Sequence, residues 1–471
     1  MTTLLWLRLD LRLADHPALQ AAIERGGTVI PVFLWAPDEE GDWAPGAASR
    51  WWLHQSLTRL QHDLRAVSSQ LILRKIGKDP DADAPDSLTA LHQLLRETGA
   101  TGVYWSRRYE PLVIARDRLI KDQLRASGME ARSFNSALLA EPWDIRNLSG
   151  KPFQVFSPFW KKTRSVIEPG KPLPAPKRIP APASWPPSRD LRELGLLPRI
   201  RWYDGMAESW QPGEAGAARR FKEFNGDAIG QYAETRNLPA VPGTSRLSAH
   251  LHFGEISPRQ IWHAAAEHRD GNFMAEIGWR EFAHHLLYHF PHTVDRPLRS
   301  EYERFVWRDS QQDLRAWQKG GTGVALVDAG MRQLWVEGWM HNRVRMVVAS
   351  FLVKNLRLHW LEGARWFWDT LVDADLASNT LGWQWAAGCG ADAAPYFRVF
   401  NPQSQAEKFD PDQLYCQKWN SDPRAPWPRP VMPMVDLKAS REAAIAAWQA
   451  LRNNAPASSH QDSKKIKEKQ K

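Results

Sequence analysis

Thr3-Leu-Leu-Trp-Leu7, followed directly by Arg8-Leu-Asp-Leu-Arg12, is the stretch on which the fold turns. The apolar run is too short for a buried helix and matches a strand covered on both faces. The residues directly after it exclude one large class. A dinucleotide-binding turn needs Gly-x-Gly-x-x-Gly at this point, so that backbone can approach a pyrophosphate, and arginines and an aspartate stand there instead. This sheet does not bind NAD in the usual way.

Working outward, Val29–Trp35, Leu71–Arg74 and Gly102–Trp105 repeat the strand pattern, separated by helical patterns near residues 16–25, 46–66, 86–98 and 112–127. Strands alternating with amphipathic helices predict a Rossmann-like parallel α/β domain over residues 1–135. A chain of 471 residues exceeds one core, so a second domain is expected. Between residues 166 and 200 runs a proline-dense segment, Pro169 to Pro187, which supports neither helix nor central strand. It predicts an interdomain connector, drawn at 136–200. Helical patterns then occupy 215–235, 257–268, 272–290, 310–318, 323–337, 340–357, 362–371 and 375–388, predicting an all-α domain over 201–452. Residues 453–471, Ala/Ser/Pro-rich and then Lys-rich, read as a disordered tail.

Hydrophobic residues make up 43% and charged residues 24%, an ordinary globular balance. The net charge of +9 suggests a polyanionic partner, yet residues 201–452 sum to zero, so a nucleic-acid site there has to be a segregated basic face. Twenty-five Trp against 8 Tyr suggests stacking surfaces or redox relays beside ordinary core packing. Two cysteines, Cys389 and Cys416, make no disulfide framework, and the first residues show no basic-then-apolar leader; both predict a cytoplasmic protein. No apolar run approaches the ~18 residues of a membrane span.

Four polar clusters interrupt the helical region. Gly243-Thr-Ser-Arg-Leu-Ser248 offers hydroxyls and backbone N–H groups before a helix, with Arg246 as a clamp: a phosphate cradle, or a plain turn with a helix cap. Trp339-Met-His-Asn-Arg-Val-Arg-Met346 puts Asn342 and Met346 on one helical face, which either lines a pocket or belongs to a buried helix with snorkelling arginines. Asp373-Ala-Asp-Leu-Ala-Ser-Asn379 lacks the glycine and the terminal glutamate of a calcium loop. Trp383-Gln-Trp385 precedes Gly388-Cys-Gly390 and offers a stacking platform beside a packing ring. His285 and His289 are four apart but have no zincin-type partners, so no metal is expected. Neither a Gly-x-Ser-x-Gly elbow nor a Walker loop occurs.

Together with Trp6–Arg12, Glu276-Ile-Gly-Trp-Arg280 and Asp392-Ala-Ala-Pro-Tyr-Phe-Arg-Val-Phe-Asn-Pro402, these motifs resemble the DNA photolyase/cryptochrome family, nearest to bacterial photolyases of the cyclobutane pyrimidine dimer type. The run Pro45–Trp52 resembles the class III branch, close to plant cryptochromes. The resemblance implies an α/β antenna domain and a helical domain holding FAD. Tyr232, Thr244, Ser245, Arg246, Leu247 and Ser248 would hold its phosphates and ribityl chain. Arg280, Trp339 and Asn342 would line it, Arg345 and Asp373 would pair over the ring, Asp375 would bond its pyrimidine edge, and Asn379 would face N5. Plant cryptochromes usually carry Asp at that last position, so Asn379 favours repair.

For UV-damaged DNA the resemblance implies Trp279 and Trp385 as walls around a flipped dimer, Glu276 on its base edge, Asn342, Arg343 and Met346 around it, and Arg236 with Arg343 on phosphates. Relatives of the 6-4 type carry His where Asn342 and Met346 stand here. Trp383, Trp360 and Trp307 match the chain that carries electrons to flavin in photoreduction. The implied activity is light-driven dimer repair by a monomeric lyase, with a cryptochrome photoreceptor as the alternative. The expected antenna is 5,10-methenyltetrahydrofolate. Residues 106–113 depart from the Asn-Glu pair of enterobacterial folate sites, so other folate ligands, a deazaflavin or an empty site stay open.

Overall fold

β1 (Thr2–Leu7) forms where the sequence places it, and Leu4, Leu5 and Trp6 are fully buried because helices cover both faces of the sheet. In the computed structural model, residues 1–268, 271–393, 397–428 and 432–453 are described. β1 lies at the centre of a five-stranded, all-parallel sheet with β2 (Thr28–Trp35), β3 (Ile72–Lys75), β4 (Gly102–Ser106) and β5 (Glu130–Phe134), in the order β3-β2-β1-β4-β5. The crossovers are α1 (Pro17–Glu24), α2 (Ala47–Ala66), α3 (Ser87–Thr98) and α4 (Pro111–Ala126), each within two residues of its predicted span. β5 has no counterpart in the sequence reading. It is an edge strand, Glu-Ala-Arg-Ser-Phe, in which only Ala131 is buried, so it lacks the apolar run that marked the others.

Residues 136–200 are folded against both domains instead of spanning a gap. They include α5 (Phe156–Val166), which buries Phe156, Phe159 and Trp160 in the core of the helical domain. The proline segment beyond is stitched to the first domain. Ile179 N–H donates to the Val67 carbonyl (2.9 Å), Val29 N–H to Pro180 (2.8 Å), and Arg189 pairs with Asp83 (2.8 Å). Proline removes donors, but its neighbours and carbonyls still bond outward.

Beyond the connector the described residues contain no strand. The helices that position the site are Tyr232–Thr235, Ser248–His252, Asn272–His289, Ala325–Glu337, Asn342–Ser350, Trp360–Thr370 and Leu376–Ala387. The predicted helices at 215–235 and 340–357 are each broken by a π-turn, Phe224–Ala228 and Phe351–Asn355. Helices Pro402–Phe409, Leu414–Asn420 and Leu437–Asn453 were not anticipated. The predicted tail lies outside the described residues except for Asn453. No described helix is long and apolar enough to cross a membrane.

One core runs through the seam between the domains, joining Leu5, Phe33, Trp51 and Trp52 to Trp210, Phe253, Trp339 and Val372. The loop after β1 closes that seam. Arg12, 1% exposed, donates to the carbonyls of Ala14 (3.0 Å), Asp15 (2.7 Å), Ser136 (3.0 Å) and Gly254 (2.8 Å) and to Ser136 Oγ (2.8 Å). Gly254 has φ +65°, and a Cβ there would lie 2.3 Å from the Leu9 carbonyl oxygen, so only glycine lets the two chains approach. Beside it buried Glu255 accepts from Trp52 Nε1 (3.0 Å), Gly213 N–H (2.7 Å), Ser56 and His250.

Burial of Arg12, and of Lys354 on the π-turn Phe351–Asn355, generates two testable outcomes. Arg12→Met leaves several buried carbonyls unpaired and costs about 3 kcal/mol, read as a lower urea midpoint. Lys354, 1% exposed with Nζ 3.2 Å from the Phe397 ring centroid, is lowered by burial to about 7. Between that value and its ordinary 10.5 the unfolded chain holds a proton that the folded chain does not, so stability rises with pH across this window. Lys354→Met flattens that rise, as thermal melts from pH 7 to 10 would register.

Candidate functional site

Residues 243–248 form a bend that ends in the one-turn helix Ser248–His252. Arg246 takes φ +52°, a left-handed conformation costly for a residue with a side chain. Its guanidinium lies 4.3 Å from the Trp210 ring centre and 4.6 Å from that of Trp339, and reaches Glu337 at 3.2 Å. Arg246 Nε is buried with no partner among the described residues. Leu247 and Tyr232 are buried, while Thr244 and Ser245 are half-buried and Ser248 is exposed. Tyr232 packs edge-on to Phe224 and Phe273, and burial followed by Glu276 raises its pKa.

Arg345 and Asp373 form the expected pair. Arg345 meets both carboxylate oxygens at 2.8 and 3.1 Å and donates from Nε to the Met340 carbonyl at 2.7 Å. Asp375 caps the Leu376–Ala387 helix by accepting Ser378 N–H (2.8 Å) on Oδ1. Asn379, half-buried one turn later, donates Nδ2 to the Ala364 carbonyl at 3.0 Å. That bond holds the amide by its nitrogen and uses none of the capacity of its oxygen. Arg280 is held by the Ala137 carbonyl (2.6 Å), Trp339 is buried, and Asn342 is exposed at the start of its helix. His252 and His284, which the sequence reading passed over, face Asp375 Oδ2 at 3.6 and 3.5 Å. Their histidine-rich surroundings were the available signal.

The residues expected to face DNA form two contacts across elements. Arg236 pairs with Glu276 at 2.7 Å, and its neighbour Asn237 accepts from Arg343 at 2.7 Å. Arg343 has a lowered pKa through burial and then the charges of Arg236 and Arg398, which marks a local cluster of positive charge in a neutral domain. Burial raises the pKa of Glu276 and Arg236 opposes that shift. Trp279 stacks on Phe156 of α5 (3.8 Å between centroids, 9°), while Trp385 lies near Phe400 (6.1 Å), and their helices pack together. Phe156 escaped the sequence reading because its segment was assigned to the connector. Met346 is half-buried. Ala394–Tyr396, within the last family motif, lie outside the described residues.

Trp383 and Trp360 are 2% exposed and Trp307 is half-buried, a gradient from core to surface. His359, another unanticipated residue, lies between the latter two rings, 5.7 Å from Trp360 and 5.1 Å from Trp307. The Trp383 ring rests on Gly363, where a Cβ would come within 2.0 Å of it. His285 and His289 serve structure: His285 Nε2 accepts from Phe153 N–H (3.0 Å), and both rings bond the Pro142 carbonyl.

The donor set fits a flavin dinucleotide. An unpartnered Arg246 Nε offers an anion contact, the Arg345–Asp373 pair a flat charged surface, and the fixed amide of Asn379 an acceptor. A helical flavin domain joined to a parallel α/β domain, with clustered arginines at its open face, defines a two-domain flavoprotein suited to a polyanionic substrate. Models of known families agree: residues 3–177 match "DNA photolyase" and residues 273–425 match "FAD binding domain of DNA photolyase". The chain is 42% identical to the deoxyribodipyrimidine photo-lyase of Agrobacterium fabrum, covering 95% of this chain and 98% of that one. It is 38% identical to cryptochrome-1 of Arabidopsis thaliana, covering 88% of this chain and 62% of that one. The crystal structure of a bacterial class III photolyase from Agrobacterium tumefaciens superposes with a TM-score of 0.88 at 42% identity, covering 96% of this chain and 98% of that one. The chain belongs to the DNA photolyase family.

Arg345→Met strands the buried Asp373 carboxylate and costs about 3 kcal/mol, with loss of retained flavin. Thermal denaturation and the flavin-to-protein absorbance ratio measure the two effects.

Proposed function

We propose that this protein repairs cyclobutane pyrimidine dimers in DNA with light. The observation that carries the reading is Asn379, a neutral amide fixed by the Ala364 carbonyl on the helix that also holds Trp383 and Trp385. Bound reduced FAD supplies an electron that opens the cyclobutane ring and then returns. The protein binds, orients and excludes water. Asn379 has no acidic proton to give, which favours the reduced anionic cofactor. Trp279 and Trp385 offer aromatic faces to a flipped dimer; extrusion costs a few kcal/mol, and less where the lesion has already weakened stacking. When Arg236 turns to a phosphate, its opposition is removed and burial acts on Glu276 in the direction that favours a protonated carboxyl beside the base edge. Trp307, Trp360 and Trp383 would form the path by which electrons from the surface reach bound flavin.

Identity to a plant cryptochrome supports the alternative, a blue-light photoreceptor. Asn379 and Met346 weigh for repair. An antenna cofactor of the folate class would lie in the cleft between the domains, lined by the rings of Trp6, Phe33 and Trp35, with Arg108 and Arg116 beside them paired to Glu40, Glu110, Glu39 and Asp117. Site residues drawn from one chain are compatible with a monomer, and two buried thiols, Cys389 and Cys416, with a reducing compartment such as the cytoplasm.

The deciding experiment illuminates purified protein with UV-irradiated oligothymidine under blue light. Disappearance of dimers supports repair; bound FAD without repair sinks it in favour of the photoreceptor, and the absorption spectrum identifies any antenna. Trp383→Phe is expected to slow flavin photoreduction at least about tenfold while prereduced enzyme keeps its repair yield. Equal photoreduction in both proteins removes Trp383 from the chain.

A further inference from the structure

His359 stands at the head of the Trp360–Thr370 helix, and its ring touches two members of the proposed electron path. Its centroid lies 5.7 Å from that of Trp360, at 28° between planes, and 5.1 Å from that of Trp307, at 68°. The backbone sets this pose. As the N-cap of the helix, His359 accepts the Leu361 N–H on Nδ1 at 3.2 Å, so in the neutral ring Nε2 carries the proton. Trp307 is brought to it by the adjoining bridge of Arg308 to Leu358, in which Arg308 N–H donates to the Arg357 carbonyl at 2.8 Å. A second proton has to go on Nδ1, where it would meet the Leu361 N–H, so charging the ring and keeping the cap exclude each other. The surroundings resist charging as well. Burial, followed by Arg365 on the same helix, lowers the pKa of His359 from its ordinary 6.5. The remaining charged groups nearby are Glu362 in the first turn of the helix and, on the facing segment, Arg308 paired with Asp313 at 3.2 Å. At neutral pH the ring is uncharged.

We propose that His359 is a positioning residue and an acid gate of the electron path: uncharged, it is fixed by its cap between Trp360 and Trp307, and protonated, it opposes the positive charge that passes from one indole to the other. The inference rests on the proposed electron path. When bound oxidised flavin draws one electron from Trp383 under light, the loss is made good from Trp360, then from Trp307, and finally from an external thiolate that ends as disulfide. Each indole carries one positive charge in turn. A cation beside a neutral indole is attracted to it, but beside an oxidised one it is repelled. The extra proton of His359 comes from solvent, since the residue is only half-buried, and takes no part in the electron transfer.

The test is a laser flash on flavin-loaded protein without external reductant, reading the yield of oxidised tryptophan that outlives the flash across a pH series. The comparison is with His359→Asn, which keeps an acceptor for the helix cap and cannot take a charge. On acidification the wild-type yield should fall with a single-proton profile whose midpoint lies below 6.5, to about a tenth of the variant's. Parallel pH profiles in the two proteins overturn the proposal. If the Asn variant fails to fold, His359→Ser, with another capping side chain, gives the same comparison. An unchanged yield in Trp307→Phe at pH 8 defeats the electron path itself, so that failure and the failure of the gate are distinct.

Discussion

A buried guanidinium has to satisfy five N–H donors, and in this protein that requirement joins the two domains. Arg12 spends its donors on the loop after β1, on Ser136 at the start of the connector and on Gly254 in the helical domain. None of the three segments can move without stranding polar groups away from water, where each costs on the order of 1–3 kcal/mol. Asp15 repeats the logic, binding Arg259, Ser257 and the Leu173 N–H. The stretch that excluded a nucleotide-binding turn is therefore the clasp of the molecule.

From that clasp the site is built in short steps. Gly254 ends the segment that begins with the Arg246 bend, so fixing one fixes the approach of the other. Glu255, four hydrogen bonds deep, holds His250, and His252 two residues on faces Asp375. Asp375 caps the helix that carries Asn379 and Trp383. The residues proposed to hold flavin thus stand on helix caps and buried ion pairs, whose geometry is less tolerant than that of surface loops.

The parallel sheet was legible because buried strands are continuous apolar runs and their crossovers are amphipathic. β5 escaped for the converse reason, since an edge strand needs only one buried residue, Ala131. α5 escaped because the proline content of its neighbours dominated the reading of 136–200, although Phe156, Phe159 and Trp160 carry a clear helical stripe. At the site, the family resemblance gave the Arg345–Asp373 pair, whereas the cap that Asp375 makes on its helix was not anticipated. His284 and His359 could not be read from sequence, because their roles depend on neighbours far along the chain, Asp375 for the first and Trp307 for the second. The tryptophan excess resolves largely into packing: Trp51, Trp52, Trp105 and Trp317 are fully buried core rings.

The Arg236–Glu276 pair carries one further implication for the search along undamaged duplex. In the free protein each side chain is the other's partner, and at 27% and 30% side-chain exposure either can exchange that partner for water at modest cost. On the proposed function, a nucleotide presenting its phosphate and its base edge together would replace both halves of the pair at once, so the pair would favour a nucleotide in register over either contact alone.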